Sequence, residues 1–386
     1  MKALIIIARG LAGLLALVVV LVVAGLGWRA VVQSKAAHTV AIHSPHGIDE
    51  ASFVRIGGLD QWITIRGQDR TKPVLLIVHG GPGDAESLNI ARFAYLEKDF
   101  VVAQWDQPGA GHTFGRAGGK LDPGLTIDKV AAYGVGVAQY LRDHLHKPKI
   151  VLLGHSWGSV IGVLMAKARP DLFYAYVGTG QVVDNRKGEA LAFSQLLAEA
   201  KDRRNQHAVR ELVRSGAPPY SSYNQFMMER KWAMTFEAGA PSRTDQLAAP
   251  FLAPHARLGD AWNWFAGFMA SQAHFLHGRM DGEFMKVDLT RTGADFAVPV
   301  FVFQGEQDNY TPASIARGYV QWLRAPQKGF ATIKGAGHMA VTTHPAQFLD
   351  LLRKDVLPLT EEPAPRPGQK SKREQQKTVD RLLARR

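Results

Sequence analysis

Short apolar runs recur along the chain, each ending in glycine, proline or polar residues, and stretches with helical spacing of apolar residues separate them. Runs of this kind are typical of strands that are buried on both faces of a sheet. The pattern therefore predicts an α/β fold, with a mostly parallel sheet flanked by helices. The predicted core strands are VLLIV (74–78), FVVAQW (100–105), IVLLGH (150–155), YAYVG (174–178), VPVFVFQ (298–304) and FATIK (330–334).

The pattern changes between Val183 and about Phe296, where no buried-strand run occurs. Helical periodicity replaces it, as in EALAFSQLLAEA, together with loops rich in proline and aromatic residues. We therefore expect one α/β domain in two parts, 40–183 and 298–357, with a helical cap inserted at 184–297. At 386 residues and 46% hydrophobic composition, the chain is long enough to bury a large core and hold such an insertion.

The sequence GHSWG (154–158) joins a predicted strand to a predicted helix and places Ser156 between two glycines. Glycine on both sides lets the strand and the helix approach closely around a strained serine. The serine hydroxyl is thereby exposed above the sheet, at a helix N-terminus. The pattern G-x-S-x-G with this context is typical of a nucleophile elbow, so Ser156 is the predicted nucleophile.

A nucleophilic serine needs a base and a carboxylate that orients the base. Enzymes with this elbow place the acid after a late strand and the histidine after the last one. Here Asp308 follows the run at 298–304, and His338 follows the run at 330–334. We predict that His338 takes the serine proton and that Asp308 fixes the tautomer of His338.

Each of these two roles has an alternative candidate. Glu306 also follows the late strand, but Asp308 lies further past it, in a turn closed by Pro312. His344 is the alternative base, although its place before Pro345 fits the first residue of the last helix better.

An acyl-transfer site also needs backbone N–H donors for an oxyanion. The first predicted core strand leads into HGGPG (79–83), where three glycines leave N–H groups unshielded by side chains. We predict that the N–H groups of Gly81 and Trp157 form the oxyanion hole, with Gly80 as the alternative to Gly81. His79 could act as a base, but that role is already filled, so we expect His79 to hold the loop by hydrogen bonds.

Together, several motifs resemble those of the α/β-hydrolases of the proline iminopeptidase group, over about residues 50 to 355. The resemblance implies an α/β-hydrolase fold with a helical cap and a serine aminopeptidase-type activity on short peptides. It also implies the roles given above for Ser156, Asp308, His338, Gly81 and Trp157. The motifs are HGGPG (79–83), WDQPGAGHT (105–113), GHSWGS (154–159), GEQD (305–308) and GAGH (335–338).

The chain departs from this family's pattern at two places. The family's D-Q-R-G is here DQPG (106–109), so an arginine is missing beside the site. The acidic cap signature, a tryptophan pair followed by a glutamate that holds the substrate amine, has only a loose counterpart in WAMTFE (232–237). We expect Glu229 or Glu237 to bind the amine. An ester or lactone hydrolase is the alternative, and a non-catalytic membrane-tethered binding protein is a further one.

The formal net charge of +12 does not indicate a nucleic-acid partner, because the C-terminal tail alone supplies half of it. Eight Lys or Arg residues face two acids between Arg366 and Arg386. We expect 358–386 to be a proline-rich linker and a solvated basic tail, with contact to anionic lipid as an alternative. No metal-ligand spacing or phosphate-binding glycine motif occurs in the sequence, so we expect no metal and no cofactor.

An uncharged apolar run of 17 residues, Leu11 to Gly27, lies near the N-terminus between Arg9 and Trp28-Arg29. The run is long enough to span a bilayer if Arg9 extends outward. We predict that 1–30 is a retained single-pass anchor. A cleaved signal peptide is the alternative, although its apolar region would be shorter. The flanking charges are nearly balanced and leave the orientation open; a periplasmic or extracytoplasmic catalytic domain is one arrangement. The absence of cysteine excludes disulfides.

Overall fold

The computed structural model describes residues 2–237, 239 and 243–361. Most of the predicted linker and tail, 362–386, lies outside the described residues. Within the described residues, α1 (Lys2–Thr39) is a helix long and apolar enough to cross a membrane. It runs further than the predicted anchor at 1–30, and its apolar run from Leu11 to Gly27 is exposed at every position.

The strands of the described chain form one sheet, which is parallel except at one edge. The strands are β1 (Ile48–Ile56), β2 (Leu59–Gly67), β3 (Val74–Val78), β4 (Val101–Trp105), β5 (Ile150–His155), β6 (Phe173–Thr179), β7 (Val300–Gly305) and β8 (Lys328–Ile333). Their order across the sheet is β1-β2-β4-β3-β5-β6-β7-β8. Only β1 with β2 and β2 with β4 pair antiparallel. The predicted parallel core is confirmed, and an antiparallel hairpin extends one edge.

The central strands form because their side chains are buried on both faces. Every residue of β3, β4, β5 and β7 is buried. Each fully buried Val, Leu, Ile or Phe contributes about 1.5–3 kcal/mol relative to an exposed one. Strands of this kind need helices on both faces, and the helices supply that cover.

The helices after α1 fall into two groups by position in the chain. Those of the hydrolase core are α2 (Gly111–Arg116), α3 (Ile127–His144), α4 (Trp157–Ala168), α10 (Ala313–Trp322), α11 (Ala340–Thr343) and α12 (Pro345–Leu351). Those inserted between β6 and β7 are α5 (Asn185–Asp202), α6 (Gln206–Ser215), α7 (Tyr223–Phe236), α8 (Arg243–Leu252) and α9 (Leu258–Leu276). The second group occupies the segment where the sequence predicts a helical cap.

Two hydrophobic clusters lie on opposite faces of the sheet. The larger cluster joins the sheet to α3 and α4, through side chains such as Val137 and Val163. The smaller one joins the other face to the turns around Phe93 and to α12 through Phe348. The sheet is therefore the middle of three layers, and the loops at the carboxyl ends of its strands are free to form a site.

Candidate active site

The predicted nucleophile lies at a strained turn between β5 and α4. Ser156 has φ 54° and ψ −122°, a conformation that residues with a side chain rarely adopt. A Cβ atom placed on Gly154 would lie 2.5 Å from the carbonyl oxygen of Gly158. One placed on Gly158 would collide with the carbonyl oxygens of Val78 and His79. Both glycines are therefore needed for the close approach of strand and helix that the sequence pattern predicts.

The backbone of Ser156 is held on both sides. Its N–H donates to the carbonyl oxygen of Thr179 at 3.0 Å, and its own carbonyl accepts from the Ser159 N–H at 2.8 Å and the Ser159 hydroxyl at 2.6 Å. The side chain is only partly buried. Among the described residues, no hydrogen bond involves its hydroxyl, so Oγ is free to meet a substrate.

The predicted acid and base form a direct pair. His338 Nδ1 lies 3.1 Å and 3.0 Å from the two carboxylate oxygens of Asp308. Asp308 also accepts from the N–H groups of Tyr310 and Thr311, both at 2.8 Å, and from the side chains of Gln304 and Thr311, both at 2.7 Å. These donors satisfy an ionised carboxylate, which leaves it to orient the imidazole.

Burial opposes charge on both members of this pair, but their mutual attraction outweighs it. Burial would raise the pKa of Asp308, yet the His338 charge and the hydrogen bonds from His338 and Thr311 bring that pKa below its usual value. Burial would lower the pKa of His338, yet Asp308 and then Glu237 bring it above its usual value. The imidazolium form is therefore stabilised, as a histidine that accepts a serine proton requires.

The ring of His338 lies close to the serine turn. It is 5.1 Å from the ring of His155, the residue before Ser156, and His155 Nε2 lies 3.2 Å from the His338 carbonyl oxygen. Its other side stacks on Tyr310, with ring centroids 4.5 Å apart and an interplanar angle of 21°. No hydrogen bond joins Ser156 to His338 in the described chain. Such bonds are often long in enzymes without substrate and shorten when substrate binds.

The loop at 79–83 places backbone donors beside the serine. A Cβ atom on Gly80 would lie 3.2 Å from the Cβ atom of Ser156. In the described part of the chain, the N–H groups of Gly80, Gly81 and Trp157 donate to no protein acceptor. Trp157 begins α4, so its N–H also carries the positive end of the helix dipole. The geometry leaves both Gly81 and Gly80 available beside Trp157.

His79 holds this loop, as the sequence analysis expects. Its Nδ1 lies 2.9 Å from the Gly80 carbonyl oxygen, and its Nε2 accepts from the Gln107 N–H at 3.2 Å. The Gln107 side chain returns a hydrogen bond to the His79 carbonyl at 2.9 Å. Burial lowers the pKa of His79 and keeps it neutral, with its proton on Nδ1.

The two alternative catalytic residues lie outside the His338–Asp308 pair. Glu306 is exposed and accepts from the Gly335 N–H at 3.1 Å. His344 precedes α12 as its N-cap, and its Nδ1 lies 3.0 Å from the Thr343 hydroxyl. Each therefore stabilises a turn.

Of the two predicted amine-binding residues, Glu237 is the one beside the histidine loop. It accepts from the Met339 N–H at 2.6 Å, and a Cβ atom on Gly337 would lie 2.8 Å from its Oε1 atom. Its side chain is partly exposed, and among the described residues its second carboxylate oxygen has no protein donor. Burial and then Asp308 raise the pKa of Glu237, although His338 and the Met339 N–H oppose them.

Glu229 lies in a buried charged cluster behind the histidine. It is 1% exposed and accepts from the Tyr220 hydroxyl and from Arg230 at 3.3 Å. Arg230 also pairs with Glu189, and its guanidinium lies over the ring of Tyr310, 4.8 Å from the centroid. Burial, with the charge of Glu229, raises the pKa of Glu189 to about 8, although Arg230 opposes this rise.

Sequence reasoning missed Glu189 and Arg230. They lie on α5 and α7, 41 positions apart, and acids and bases are spread evenly along the cap sequence. No local signal marks either residue, because their proximity arises only when the two helices pack together.

A family model described as alpha/beta hydrolase fold matches residues 73–345. The chain therefore belongs to the α/β-hydrolase fold family and is a hydrolase. It is 30% identical over 308 residues to a probable aminopeptidase, YbaC, of Bacillus subtilis, covering 78% of this chain and 93% of that protein. It is 27% identical over 287 residues to a probable proline iminopeptidase of Streptomyces coelicolor, covering 72% of this chain and 85% of that one.

Solved structures show the same fold. The crystal structure of the proline iminopeptidase of Mycobacterium smegmatis superimposes with a TM-score of 0.59 at 18% identity, covering 81% of this chain and 99% of that one. The predicted fold class and the resemblance to the proline iminopeptidase group are both confirmed.

Proposed function

We propose that the chain is a serine aminopeptidase that releases N-terminal residues, proline among them, from short peptides. The observation that carries this proposal is the convergence of three features at one edge of the sheet. These are the strained Ser156, the His338–Asp308 pair and the partly exposed carboxylate of Glu237 against the His338 loop. The relatives named as an aminopeptidase and as a proline iminopeptidase support the same activity.

The reaction follows from the geometry. Ser156 Oγ attacks the scissile carbonyl while His338 Nε2 takes its proton, and Asp308 stabilises the resulting imidazolium. The N–H groups of Trp157 and Gly81 donate to the oxyanion. The C–N bond then breaks as His338 donates the proton to the leaving amine. Water, deprotonated by His338, hydrolyses the acyl-enzyme and frees the serine.

An aminopeptidase must hold an ammonium group very near the scissile carbonyl. In an N-terminal residue, the amine nitrogen is separated from the carbonyl carbon by the Cα atom only, a distance of about 2.5 Å. Glu237 meets this requirement because it lies against the loop that carries His338 and, among the described residues, keeps one carboxylate oxygen without a protein donor. Glu229 is already bonded to Tyr220 and Arg230, so we assign it a supporting electrostatic role.

A substrate panel tests the activity. We expect hydrolysis of prolyl and other aminoacyl arylamides that have a free amine, and little or none of their N-acetylated forms. Equal rates on both forms would contradict amine recognition. Hydrolysis of short-chain aryl esters alone would favour the ester or lactone hydrolase that remains the alternative.

We also propose that α1 is a retained membrane anchor. The helix continues without a break from its apolar run into a segment that is bonded to the cap. Arg29 donates to the carbonyl oxygens of Phe251 at 2.9 Å and Ala256 at 2.6 Å, and Gln33 donates to that of Ala253 at 2.8 Å. Cleavage near residues 27 to 36 would remove or cut this segment.

Fractionation tests the anchor. The full-length protein should stay with membranes through carbonate and high-salt extraction. Recovery of a soluble protein shortened by about 27 to 36 residues would show signal cleavage instead.

A further inference from the structure

The helix α9 presents an outward face without a single charged side chain. Its exposed positions are Leu258, Gly259, Trp262, Phe265, Met269 and Ala273. We call the four large side chains among them, Leu258, Trp262, Phe265 and Met269, the outer face of α9. They are 52%, 65%, 45% and 41% exposed. Their spacing of four, three and four residues aligns them on one side of the helix.

Such a face differs from ordinary surface composition. Single exposed apolar side chains are common on soluble proteins, but a contiguous aromatic patch marks a contact surface. The rings of Trp262 and Phe265 lie 6.3 Å apart, so the patch is continuous. On α5, in the same cap, the exposed positions include Arg186, Lys187 and Lys201. The continuous aromatic surface is therefore a feature of α9 and not of α5.

The opposite side of α9 is fixed to the core by hydrogen bonds. These bonds hold the helix in an orientation that keeps its outer face exposed. The Ser271 hydroxyl donates to the Gly109 carbonyl oxygen at 2.9 Å, and Gln272 donates to the Pro82 carbonyl oxygen at 3.1 Å. A Cβ atom on Gly83 would lie 2.8 Å from the Cβ atom of Ser271. The helix thus lies directly on the loop that supplies the proposed oxyanion donors.

The neighbouring anchor indicates what covers the outer face. The carbonyl groups that Arg29 and Gln33 bind belong to residues 251–256, which span the end of α8 and the loop before α9. The apolar run of α1 ends at Gly27, about 3 Å along the helix axis before Arg29. Trp28, 61% exposed, lies between them, where a membrane helix commonly carries an interfacial aromatic residue. The apolar run therefore leaves the protein beside the start of the outer face.

We propose that the cap lies on the lipid bilayer, with the outer face of α9 inserted among the headgroups and upper acyl chains. Phe251, 43% exposed, carries one of the carbonyl groups that Arg29 binds and adds its side chain to this contact. Exposed Arg257, just before α9, is placed to meet lipid phosphate. This contact rests on the proposed retention of α1, and it adds a second attachment that brings the oxyanion loop close to the membrane surface.

Site-specific labelling of the full-length protein in phospholipid vesicles tests the contact. The chain has no cysteine, so one introduced cysteine takes one label. An environment-sensitive fluorophore would be placed by Phe265→Cys on the outer face and by Trp322→Cys on α10, where exposures of 45% and 44% match closely. Val213→Cys, 61% exposed on α6, reports on a different helix of the cap.

Three measurements on each labelled sample separate the possible results. Flotation with vesicles reports the anchor, labelling by a fluorophosphonate reports a folded, reactive serine, and quenching by a nitroxide-bearing phospholipid reports lipid contact. We expect the fluorophore at position 265 to emit about two-fold or more strongly on vesicles than in detergent-free buffer. We also expect the nitroxide-bearing phospholipid to quench it. The labels at 213 and 322 should remain aqueous.

Protein that floats while the label at 265 stays aqueous would overturn the proposal and leave the anchor intact. A label that is shielded but not quenched by lipid, with cross-links between two copies through position 265, would overturn it in favour of self-association. Loss of flotation would reject the anchor and the bilayer contact together. Absence of fluorophosphonate labelling of the unsubstituted protein would count against the hydrolase mechanism only.

Discussion

The two halves of the cap cover different parts of the candidate site and differ in their chemistry. The charged half, α5 to α7, contributes Glu189, Glu229 and Arg230, and ends in Glu237 against the His338 loop. The apolar half, α8 and α9, covers the loop at 79–83 and faces outward with aromatic side chains. The difference suggests a division of labour: one half recognises the charge of a substrate, and the other sets the oxyanion loop and attaches the cap to a membrane.

The largest loss of activity should come from changes to the catalytic residues, which lie beneath both halves of the cap. Every substrate needs the nucleophile and the base. Ser156→Ala and His338→Ala should each lower kcat by about 10⁴- to 10⁶-fold, and the double variant should be scarcely worse, since the two residues act as a unit. Asp308→Asn should cost about 10³-fold or more through the wrong imidazole tautomer.

Steady-state kinetics on one arylamide would measure these losses. Glu306→Gln is the matched control, since it changes a carboxylate two residues from Asp308 that, within the described chain, bonds only to the Gly335 backbone. Additive losses in the double variant, or a severe Glu306→Gln, would reject the assigned roles.

The apolar half should control the oxyanion loop without touching the substrate amine. A Cβ atom on Gly83 would lie 2.8 Å from Ser271 Cβ and 2.9 Å from Phe268 Cα, so Gly83→Ala must displace either the loop or α9. We expect kcat to fall by about 10²-fold on amides and esters alike, the size of one lost oxyanion donor.

Gly118→Ala is the matched control. Gly118 also has a positive φ, of 75°, but a Cβ atom there would meet nothing within 4 Å. Comparable losses in both variants would show that backbone strain, rather than contact with α9, is responsible.

The sequence predicts the core and the proposed triad because local patterns encode both. The strands β3 to β7 are buried on both faces and read as apolar runs, and the triad candidates follow such runs at fixed places. By contrast, β1 is mostly exposed at the edge of the sheet, and no apolar run marks it in the sequence. Residues 29–39 mix polar with small apolar side chains, so the apolar run alone does not show that the helix continues to Thr39. Contacts between distant helices, such as Glu189 with Arg230, leave no pattern along the chain.

In the charged half, Glu237 should distinguish substrates with and without an amine. Glu237→Gln should lower kcat/KM for a free-amine arylamide by about 10-fold or more, the size of a lost charged hydrogen bond, and leave a neutral aryl ester nearly unchanged. The ratio of the two substrates measured on one preparation gives the result. An equal loss on both would mean that Glu237 positions the His338 loop rather than the amine.

Glu229→Gln should act on stability more than on selectivity. Glu229 is buried and bonded to Tyr220 and Arg230. The change removes a negative charge that pairs with the buried Arg230 guanidinium, so it should cost about 1–3 kcal/mol of unfolding free energy. Urea unfolding measures the cost, with exposed Glu306→Gln as the control. A selective loss on free-amine substrates, with stability unchanged, would assign amine binding to Glu229 after all.

The smallest expected effect is a shift in pH dependence. His338 must be neutral to act as a base, so activity should fall as the pH drops through its pKa, which lies above the usual value of 6.5. Asp308 and Glu237 both favour the imidazolium. Removing the Glu237 charge should therefore lower that pKa, and the acid limb of kcat/KM should move to lower pH.

A neutral ester as substrate keeps amine binding out of the measurement. Phe265→Gln, on the apolar half, should leave the limb in place; a shift in that variant, or none in Glu237→Gln, would show that the two halves do not divide the site in this way.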